Sequence, residues 1–526
     1  MDRLVEILAQ KIRKQVHIRI IGDYDVDGVT SSHLFLTALR RVGAKVDVVI
    51  PHRIQDGYGL SLHLLQQAKE DGVDTILTCD NGIAAIDEIA WAKAQKMTVL
   101  VTDHHAVPFE EHEGRRTEKK SLADAVVNPH QQDCRYPYKE LCGAGVAWNV
   151  IRVLYENYDM DKREAEDLLD FVAMATVCDV MSLTGENRIL VKEGLKRIRH
   201  TKNIGLQALM QACNVQPENI SAYHFGYVLG PCVNATGRLD TARHALRLFE
   251  TGQETEAEEI ARDLVDLNQE RKELTLQGVE MAKKLCEEGG YENDPILVLF
   301  LPDVHESIAG LIAGRIREMY NRPVFVLTRG EEGVKGSGRS TENYSMYENM
   351  CGCAELFTKF GGHPMAAGLS LPEENVEKFR RKINENCPLT VEEVCPDIHI
   401  DMAMPVGYAS TELVHQFALL EPFGKDNPSP LFADRNLSIS RMWVIGKNRN
   451  VLRMSVLSEY GQPVPVIFFG DVETLFAYFT EKFGQEEVEN ALHGRKNRIL
   501  FSMVYTAKID FYQGNENLQL EMKYYR

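Results

Sequence analysis

Three apolar runs in the first part of the chain each end in acidic residues, and helical patterns separate them. Val16 to Ile21 precedes Asp23, Asp25 and Asp27; Thr75 to Cys79 precedes Asp80; Met97 to Thr102 precedes Asp103, His104 and His105. Strands that alternate with helices indicate a parallel α/β sheet. Ligands bind outside the carboxyl ends of the strands in such sheets. The pattern therefore predicts that these acids and imidazoles lie on one rim.

The first acidic cluster is the strongest indication of a metal site. Asp23, Asp25 and Asp27 occupy alternate positions before Gly28, and a helical pattern is expected to begin near Thr30. Crowded carboxylates repel one another unless a multivalent cation neutralises them. A solvated acidic turn is the alternative, but so apolar a preceding strand argues against it. Asp179, after the apolar segment 172–177, is a fourth candidate.

These motifs resemble those of a known family. Asp23 to Gly28, Asp80-Asn81-Gly82, Asp103-His104-His105 and Asp179 resemble motifs I to IV of the DHH phosphoesterase superfamily. The remainder resembles its RecJ branch, the single-strand-specific exonucleases, through Asn234-Ala235-Thr236-Gly237-Arg238, Gly336-Ser337-Gly338-Arg339-Ser340 and Phe360-Gly361-Gly362-His363.

The resemblance implies a fold class and a domain order. We expect an α/β protein whose parallel-sheet DHH domain (1–240) is joined by a long connecting helix (241–288) to a smaller α/β DHHA1 domain (289–388). A C-terminal β-barrel of the OB-fold type (389–526) would follow. Periodic apolar residues among many charges in 240–288 agree with the helix.

The resemblance also implies the site. Its metal ligands would be Asp23, Asp25, Asp27, Asp80, His104 and Asp179, holding two Mn²⁺ or Mg²⁺ ions. It leaves open which residue bridges the ions and whether Asp23 binds an ion directly. Asp103 would orient its neighbours, and His105 would contact the scissile phosphate or the leaving group. Phosphate and nucleic-acid contacts would come from Arg53, Asn234, Arg238, Ser337, Arg339 and His363.

Residues alone are less decisive for the phosphate contacts. The Gly336 to Ser340 run suits a phosphate or a flexible turn, and Gly361-Gly362-His363 suits a ligand contact or a tight turn. Gly143-Ala144-Gly145 is interpreted as close helix packing, because it lacks a dinucleotide fingerprint. Relatives commonly carry a basic residue where this chain has Cys232, so one phosphate contact is expected to be lost.

A basic stretch in the C-terminal region predicts contact with single strands. Basic residues interleaved with an aromatic residue suit backbone attraction and base stacking, and a solvated basic face is the alternative. The candidates are Arg441, Trp443, Lys447, Arg449 and Arg453.

Composition sets the outer limits. The net charge of −18 argues against a protein that coats nucleic acid indiscriminately, but it allows a local basic groove. Eleven cysteines without a Cys-x-x-Cys pair indicate reduced thiols. No apolar run could span a membrane and no signal-peptide core is evident, so we expect a cytoplasmic protein.

Three functions remain open on the sequence alone. The first is a metal-dependent 5′-to-3′ exonuclease that degrades single-stranded DNA to 5′-mononucleotides in DNA repair and recombination. It would act as a monomer, with single-strand-binding protein and a helicase as candidate partners. The second is a DHH phosphodiesterase for short oligonucleotides or cyclic dinucleotides. The third is an inactive scaffold that binds single strands, although every acid of the four motifs is present.

Overall fold

The chain forms two compact units, residues 1–397 and 398–526. Their structure comes from a computed structural model that describes residues 1–53, 56–57, 59–112, 115–291, 293–330, 333–395, 397–446, 449–512 and 515–526. Among these residues, no helix has the length and apolar character needed to cross a membrane.

A parallel sheet organises the first part of unit 1. Its strands are β1 (Ile18–Ile21), β2 (Val46–Val49), β3 (Thr75–Cys79), β4 (Thr98–Thr102) and β7 (Ala125–Val127). Between β4 and β7 the chain forms a separate antiparallel pair, β5 (Phe109–His112) and β6 (Arg115–Glu118). The strand order is β2-β1-β3-β4-β7. Strands β1 and β3 are wholly buried, as expected when helices cover both faces of a parallel sheet. The predicted parallel α/β domain is confirmed.

Helices pack on both faces of this sheet and against one another. They are α1 (Asp2–Arg13), α2 (Val26–Arg41), α3 (Leu62–Glu70), α4 (Ile86–Ala94), α5 (Gly143–Asn157), α6 (Lys162–Glu166), α7 (Leu169–Cys178), α8 (Gly185–Ile198) and α9 (Ile204–Ala212). Of these, α6, α8 and α9 pack against other helices. Ile20, Leu77 and Leu100 point into the larger core with α2, α5 and α7. Alternate strand residues, among them Ile76 and Val99, point into a smaller core with α3 and α4.

A second run of helices leads to the next sheet. It consists of α10 (Ala222–His224), the π-helix Phe225–Leu229, α11 (Gly230–Leu239), α12 (Ala242–Glu250) and α13 (Glu254–Glu288). The prediction of one connecting helix over 241–288 is therefore corrected to two helices. The break falls at Thr251, which leaves the helical conformation and donates a side-chain hydrogen bond to Glu256 in the first turn of α13. The long helix itself, of 35 residues, is present.

A five-stranded sheet forms the rest of unit 1. Its strands are β8 (Leu297–Phe300), β9 (Val324–Gly330), β10 (Gly333–Arg339), β11 (Lys359–Gly362) and β12 (Ala366–Leu371), in the order β11-β12-β10-β9-β8. Helices α14 (Glu306–Tyr320), α15 (Met346–Cys351) and α16 (Val376–Glu385) accompany it. The β8–β9 pair is parallel and the others are antiparallel. This is the smaller α/β domain that was predicted.

The described residues of unit 2 form a β-barrel accompanied by three α-helices. Its strands are β13 (Met402–Ala403), β14 (Phe432–Ile445), β15 (Val451–Leu457), β16 (Pro463–Phe469), β17 (Leu500–Tyr512) and β18 (Asn515–Tyr525), and its helices are α17 (Thr411–Phe417), α18 (Val472–Phe483) and α19 (Gln485–Leu492). The strand order β13-β14-β15-β16-β18-β17 closes through an additional β14–β17 pairing, which makes the sheet a barrel.

Candidate metal centre and nucleic-acid-binding residues

The acids of motif I lie where β1 passes into α2. Helix α2 begins at Val26 rather than near Thr30, so Asp25 caps it by accepting a hydrogen bond from the Gly28 N–H at 3.0 Å. Asp27 falls inside the first turn of the helix. The earlier start follows from the capping position of Asp25, since aspartate is a favoured N-cap residue.

The predicted metal ligands converge. Three groups of side chains each place their ligand atoms within 4.8 Å of one another; they are Asp80, His104 and His105, then Asp27, His104 and Asp179, then Asp23, Asp25 and Asp80. His104 belongs to the first two groups, and its Nε2 lies close to three carboxylates. It lies 3.0 Å from Asp80 Oδ1, 3.6 Å from Asp179 Oδ2 and 3.7 Å from Asp27 Oδ2.

Two of these acids have backbone positions that the strand pattern does not predict. Asp179 is the C-terminal cap of α7, so it comes from a helix rather than a strand of the sheet. Asp80 follows β3 in the left-handed region, with φ of +62°. A non-glycine residue persists there only when its surroundings hold it, and such residues often mark functional sites.

Helix α5 secures Asp27 from the opposite side. The backbone N–H groups of Gly143 and Ala144 donate to Asp27 Oδ2 and Oδ1 at 2.6 and 2.7 Å. The positive end of a helix dipole stabilises a carboxylate in this position. The interpretation of Gly143-Ala144-Gly145 as mere helix packing is therefore incomplete, because its amides contact the acid cluster directly.

Asp103 organises the two histidines. Its Oδ1 accepts from the backbone N–H of His104 at 2.7 Å and lies 2.7 Å from His105 Nδ1, while Oδ2 accepts from the Ile83 N–H at 2.8 Å. Burial lowers the pKa of His105, but the hydrogen bond and charge of Asp103 outweigh it and raise the pKa to about 9. Asp103 thus holds the proton of His105 on Nδ1.

The donor set fits a divalent cation. Burial raises the pKa of Asp23 and of Asp80 well above the ordinary range, with neighbouring carboxylates adding to the effect. Burial lowers the pKa of His104, which favours the neutral imidazole that a metal requires. Within the described part of the chain, the buried Asp23 Oδ1 accepts no hydrogen bond. Buried carboxylates with imidazole suit Mn²⁺ or Mg²⁺.

A basic cavity adjoins the acid cluster. It has a volume of about 390 Å³, and its lining includes Tyr24, Arg53, Lys335, Ser337 and Lys359. Glu306 also lines it, and its Oε2 lies 2.8 Å from Lys335 Nζ. Tyr24 stands between two acids of motif I, and the Arg53 guanidinium lies 4.8 Å from the centre of its ring. The cavity therefore begins where the acid cluster ends.

Two further arginines surround Arg53. Burial lowers the pKa of Arg238 to about 10, and the charges of Arg53 and Arg339 contribute. Burial and the charge of Arg53 also lower the pKa of Arg339. A phosphate beside Arg238 and Arg339 would offset the charge repulsion that contributes to these lowered pKa values.

The glycine run before Arg339 is a strand rather than a flexible turn. Ser337 and Arg339 lie on β10. A Cβ on Gly336 would lie 2.4 Å from Leu327, and one on Gly338 would lie 2.6 Å from Met346. The glycines therefore permit close packing and keep β10 beside the cavity.

The other predicted contacts are dispersed. Asn234 Oδ1 accepts from the Val26 N–H at 3.1 Å, which ties α11 to motif I. His363 is exposed in the turn between β11 and β12. Cys232 is buried, with its Sγ 3.8 Å from that of Cys213 and 3.3 Å from the Asn268 amide nitrogen, and it is not among the described residues that line the cavity.

Part of the predicted basic surface occupies one face of the barrel. Trp443 on β14 pairs with Arg453 on β15, and Arg441 lies 5.7 Å from the Trp443 ring centre. These three residues are exposed and alternate with buried neighbours. Arg449 is also exposed, whereas Lys447 lies outside the described residues.

Sequence reasoning missed several basic residues. Lys335 and Lys359 line the cavity, and Lys335 directly precedes the glycine run that was singled out. In unit 2, Gly494 packs against the side chain of Arg441. It therefore brings the segment 493–498, with three basic residues besides His493, to the same face.

Family models cover most of the chain. They match as the DHH family, N-terminal domain (residues 17–176), the DHHA1 domain (293–387) and the RecJ OB domain (400–524). A single-stranded-DNA-specific exonuclease RecJ from Haemophilus influenzae is 32% identical over 99% of this chain and 90% of its own length. Its counterpart from Bacillus subtilis is 33% identical over 88% of this chain, which spans 57% of that protein.

Solved structures agree. RecJ from Thermus thermophilus in complex with Mn²⁺ has a TM-score of 0.80 at 26% identity, covering 99% of this chain and 71% of its own. The Mg²⁺ complex of the same protein has a TM-score of 0.74 at 25% identity, with 99% and 69% covered. Family models, full-length identity and fold thus converge. The chain belongs to the RecJ family, whose named members are single-stranded-DNA-specific exonucleases.

Proposed function

We propose that this protein degrades single-stranded DNA from its 5′ end and releases 5′-mononucleotides, using two divalent ions. The observation that carries the proposal is the junction at Tyr24, where a cluster of acids suited to cations meets a cavity whose lining has three basic residues and one acid among its described charged groups. A terminal phosphate in the cavity would place the next phosphodiester bond at the acid cluster.

The acidic and imidazole side chains would bind the metal ions and orient the reacting phosphate. Asp23, Asp25, Asp27, Asp80, His104 and Asp179 would hold the ions. Bound Mn²⁺ or Mg²⁺ supplies a Lewis acid and lowers the pKa of a coordinated water. His105, oriented by Asp103, would donate a hydrogen bond to the scissile phosphate or the leaving oxygen.

The cationic side chains would bind the strand. Arg53, Ser337 and Arg339 would hold the terminal 5′-phosphate and so set the polarity, while Arg238 and His363 would neutralise phosphate charge. The amide of Asn234 would support this contact from motif I.

The barrel would supply a binding surface of its own. Arg441, Trp443, Arg449 and Arg453, with Lys447, would take up the strand through backbone attraction and stacking. We further propose a cytoplasmic monomer that acts in repair and recombination, with single-strand-binding protein and a helicase as partners. Its domains would be 1–240, the connection 241–288, 289–388 and 389–526.

Two other functions are less well supported. A phosphodiesterase for dinucleotides would have no use for the exposed basic and aromatic face of the barrel. An inactive scaffold would not need groups of buried and half-buried carboxylates and imidazoles whose ligand atoms lie within 4.8 Å of one another.

The test uses single-stranded DNA labelled at either end and incubated with Mn²⁺. The wild type should release labelled 5′-mononucleotides at once from the 5′ end, and Asp80→Asn should not. Asparagine is preferred to alanine because it tolerates the positive φ of this residue. Asp133→Ala, which removes a side chain that is 75% exposed, is the matched control and should retain activity. Cleavage of dinucleotides alone would favour the phosphodiesterase, and binding without cleavage would favour the scaffold.

Polarity has its own test. The wild type should prefer 5′-phosphorylated over 5′-hydroxyl strands, and Arg339→Ala should lose that preference while still hydrolysing the hydroxyl substrate. If Arg339→Ala still prefers the 5′-phosphorylated strand, the cavity does not recognise the 5′ end.

A further inference from the structure

A stacked pair of tyrosines is exposed on the surface of unit 1. Tyr223 and Tyr227 are 62% and 70% exposed. Their ring centres lie 5.1 Å apart with an interplanar angle of 23°. A single exposed aromatic residue is common, but two stacked rings present a flat π-surface of the kind on which bases stack.

The pair lies on a helical segment that borders the acid cluster. The segment runs from α10 through the π-helix Phe225–Leu229 into α11. The thiol of Cys178, the residue before Asp179, donates to the Phe225 carbonyl at 3.3 Å. Further along, Asn234 contacts motif I. The segment therefore passes along the rim that holds the proposed ligands.

The two ends of this segment carry different chemistry. The tyrosines stand at its start, and Arg238, beside the basic cavity, stands at its end. Eleven residues separate Tyr227 from Arg238, which corresponds to about 16 Å at the usual helical rise. Phe225 and Asn234 of this segment contact Cys178 and Val26, which are sequence neighbours of the proposed ligands. A strand with its terminal phosphate in the cavity and its scissile bond at the acids would continue toward the tyrosines.

We propose that Tyr223 and Tyr227 form a stacking platform for bases of the retained part of the single strand, on the far side of the metal centre from the 5′-phosphate cavity. This proposal rests on the proposed exonuclease function. Stacking of this kind tolerates any sequence, because every base has a π-face. The π-helix begins between the two tyrosines, and π-helical turns within helices frequently occur at functional sites.

The test measures binding separately from hydrolysis. In the Asp80→Asn background, the Kd for a long 5′-phosphorylated strand is measured by fluorescence anisotropy for the parent, Tyr223→Ala/Tyr227→Ala and Tyr223→Phe/Tyr227→Phe. A matched strand with abasic internal nucleotides provides the second substrate. Ile189→Ala, which removes a side chain that is also 62% exposed, controls for loss of apolar surface elsewhere.

We expect the double alanine variant to raise the Kd for the normal strand roughly 5- to 100-fold. The double phenylalanine variant, which keeps the rings, should bind as the parent does. On the abasic strand, parent and alanine variant should bind equally. An unchanged Kd on the normal strand, or an equal loss on the abasic strand, would overturn the platform, and the latter would indicate a backbone or partner-protein surface instead.

Failure of the proposed function has a different outcome. In that case the wild type with Mn²⁺ would bind the strand but release no nucleotide from it. The alanine variant would still bind the normal strand more weakly than the parent, and both would still bind the abasic strand equally.

Discussion

Replacing Gly143 by alanine should weaken metal binding, because this glycine lies against two of the proposed ligands. A Cβ at this position would lie 2.6 Å from Asp80 Cβ, 2.9 Å from Asp80 Oδ1 and 3.0 Å from Asp27 Oδ2. The N–H of the same residue donates to Asp27 Oδ2 at 2.6 Å. Asp80 is buried and has a positive φ, so it has little freedom to move aside. The acid cluster must therefore distort.

The magnitude follows from the packing. Forcing an extra methyl group into a closely packed site costs about 1–3 kcal/mol. If the displaced carboxylates bear that cost, Mn²⁺ affinity falls by roughly 5- to 150-fold. Loss of groups that orient metal ligands typically has an effect of about 10- to 100-fold, which is the same range.

Gly145→Ala is the matched control. It lies in the same helical turn, but its Cβ would meet Leu141 Cδ2 at 3.3 Å, the end of a flexible side chain. Alanine in place of a helical glycine is favourable by about 0.5–1 kcal/mol, so this variant should keep its activity. The assay is the Mn²⁺ concentration that half-saturates exonuclease activity, with circular dichroism as the check on folding. A folded Gly143→Ala protein with wild-type Mn²⁺ dependence would refute the reasoning.

Three other predictions concern charge. Burial raises the pKa of Asp170 to about 6, above its unfolded value. Protonation therefore favours the folded state, and this residue should remove up to about 3 kcal/mol of stability as the pH rises from about 4 to 7. In chemical denaturation, the free energy of unfolding of Asp170→Asn should decline less over this pH range than that of the wild type. Parallel pH profiles of the two proteins would contradict the prediction. Mn²⁺ at about 100 times its Kd should raise the free energy of unfolding of the wild type by about 2.7 kcal/mol. The increase should be far smaller for Asp80→Asn. If Mn²⁺ raises the melting temperature of both proteins equally, the ion binds elsewhere. Trp443→Ala should weaken binding to single-stranded DNA without changing its salt dependence, whereas Arg453→Ala should lower the salt slope by about one, and identical effects in a salt titration would argue against separate roles.

The convergence of the motif acids could be predicted from the sequence because it follows from strand order. Asp80 and Asp103 come directly after strands of one parallel sheet, and Asp23 follows another of its strands after Gly22. In such a sheet the carboxyl ends of all strands face the same edge. The period of the apolar residues and the position of the acids were sufficient for this part of the site.

The supports of the site could not be predicted in the same way. The hydrogen bonds from Gly143 and Ala144 to Asp27 join residues more than a hundred positions apart, and nothing in the local sequence distinguishes these amides from those of any other helix start. Asp179 follows an apolar segment that proved to be a helix, because a short apolar run has no period that separates a buried helix from a strand.

The effect of Cys232 on phosphate binding could not be judged from the family resemblance alone. The loss of a basic residue at this position was expected to weaken phosphate binding. The side chain is buried beside Cys213 and Asn268, whereas Arg53, Lys335 and Lys359 line the cavity. The cavity therefore has a cationic lining that does not depend on residue 232.

The separation of charge within unit 1 explains how an enzyme with this site would require a strand end. Acids that repel phosphate in the absence of cations flank Tyr24 in the sequence, and the Arg53 guanidinium, which attracts phosphate, lies 4.8 Å from the centre of the Tyr24 ring. Burial of Arg238 and Arg339 strengthens their attraction for a bound anion, because water screens buried charges less than exposed ones. A terminal phosphate, with its extra negative charge and no further chain, satisfies such a cavity better than an internal diester does. In the proposed function, selectivity for an end would then come from the cationic cavity, and cleavage from the acid cluster one nucleotide away.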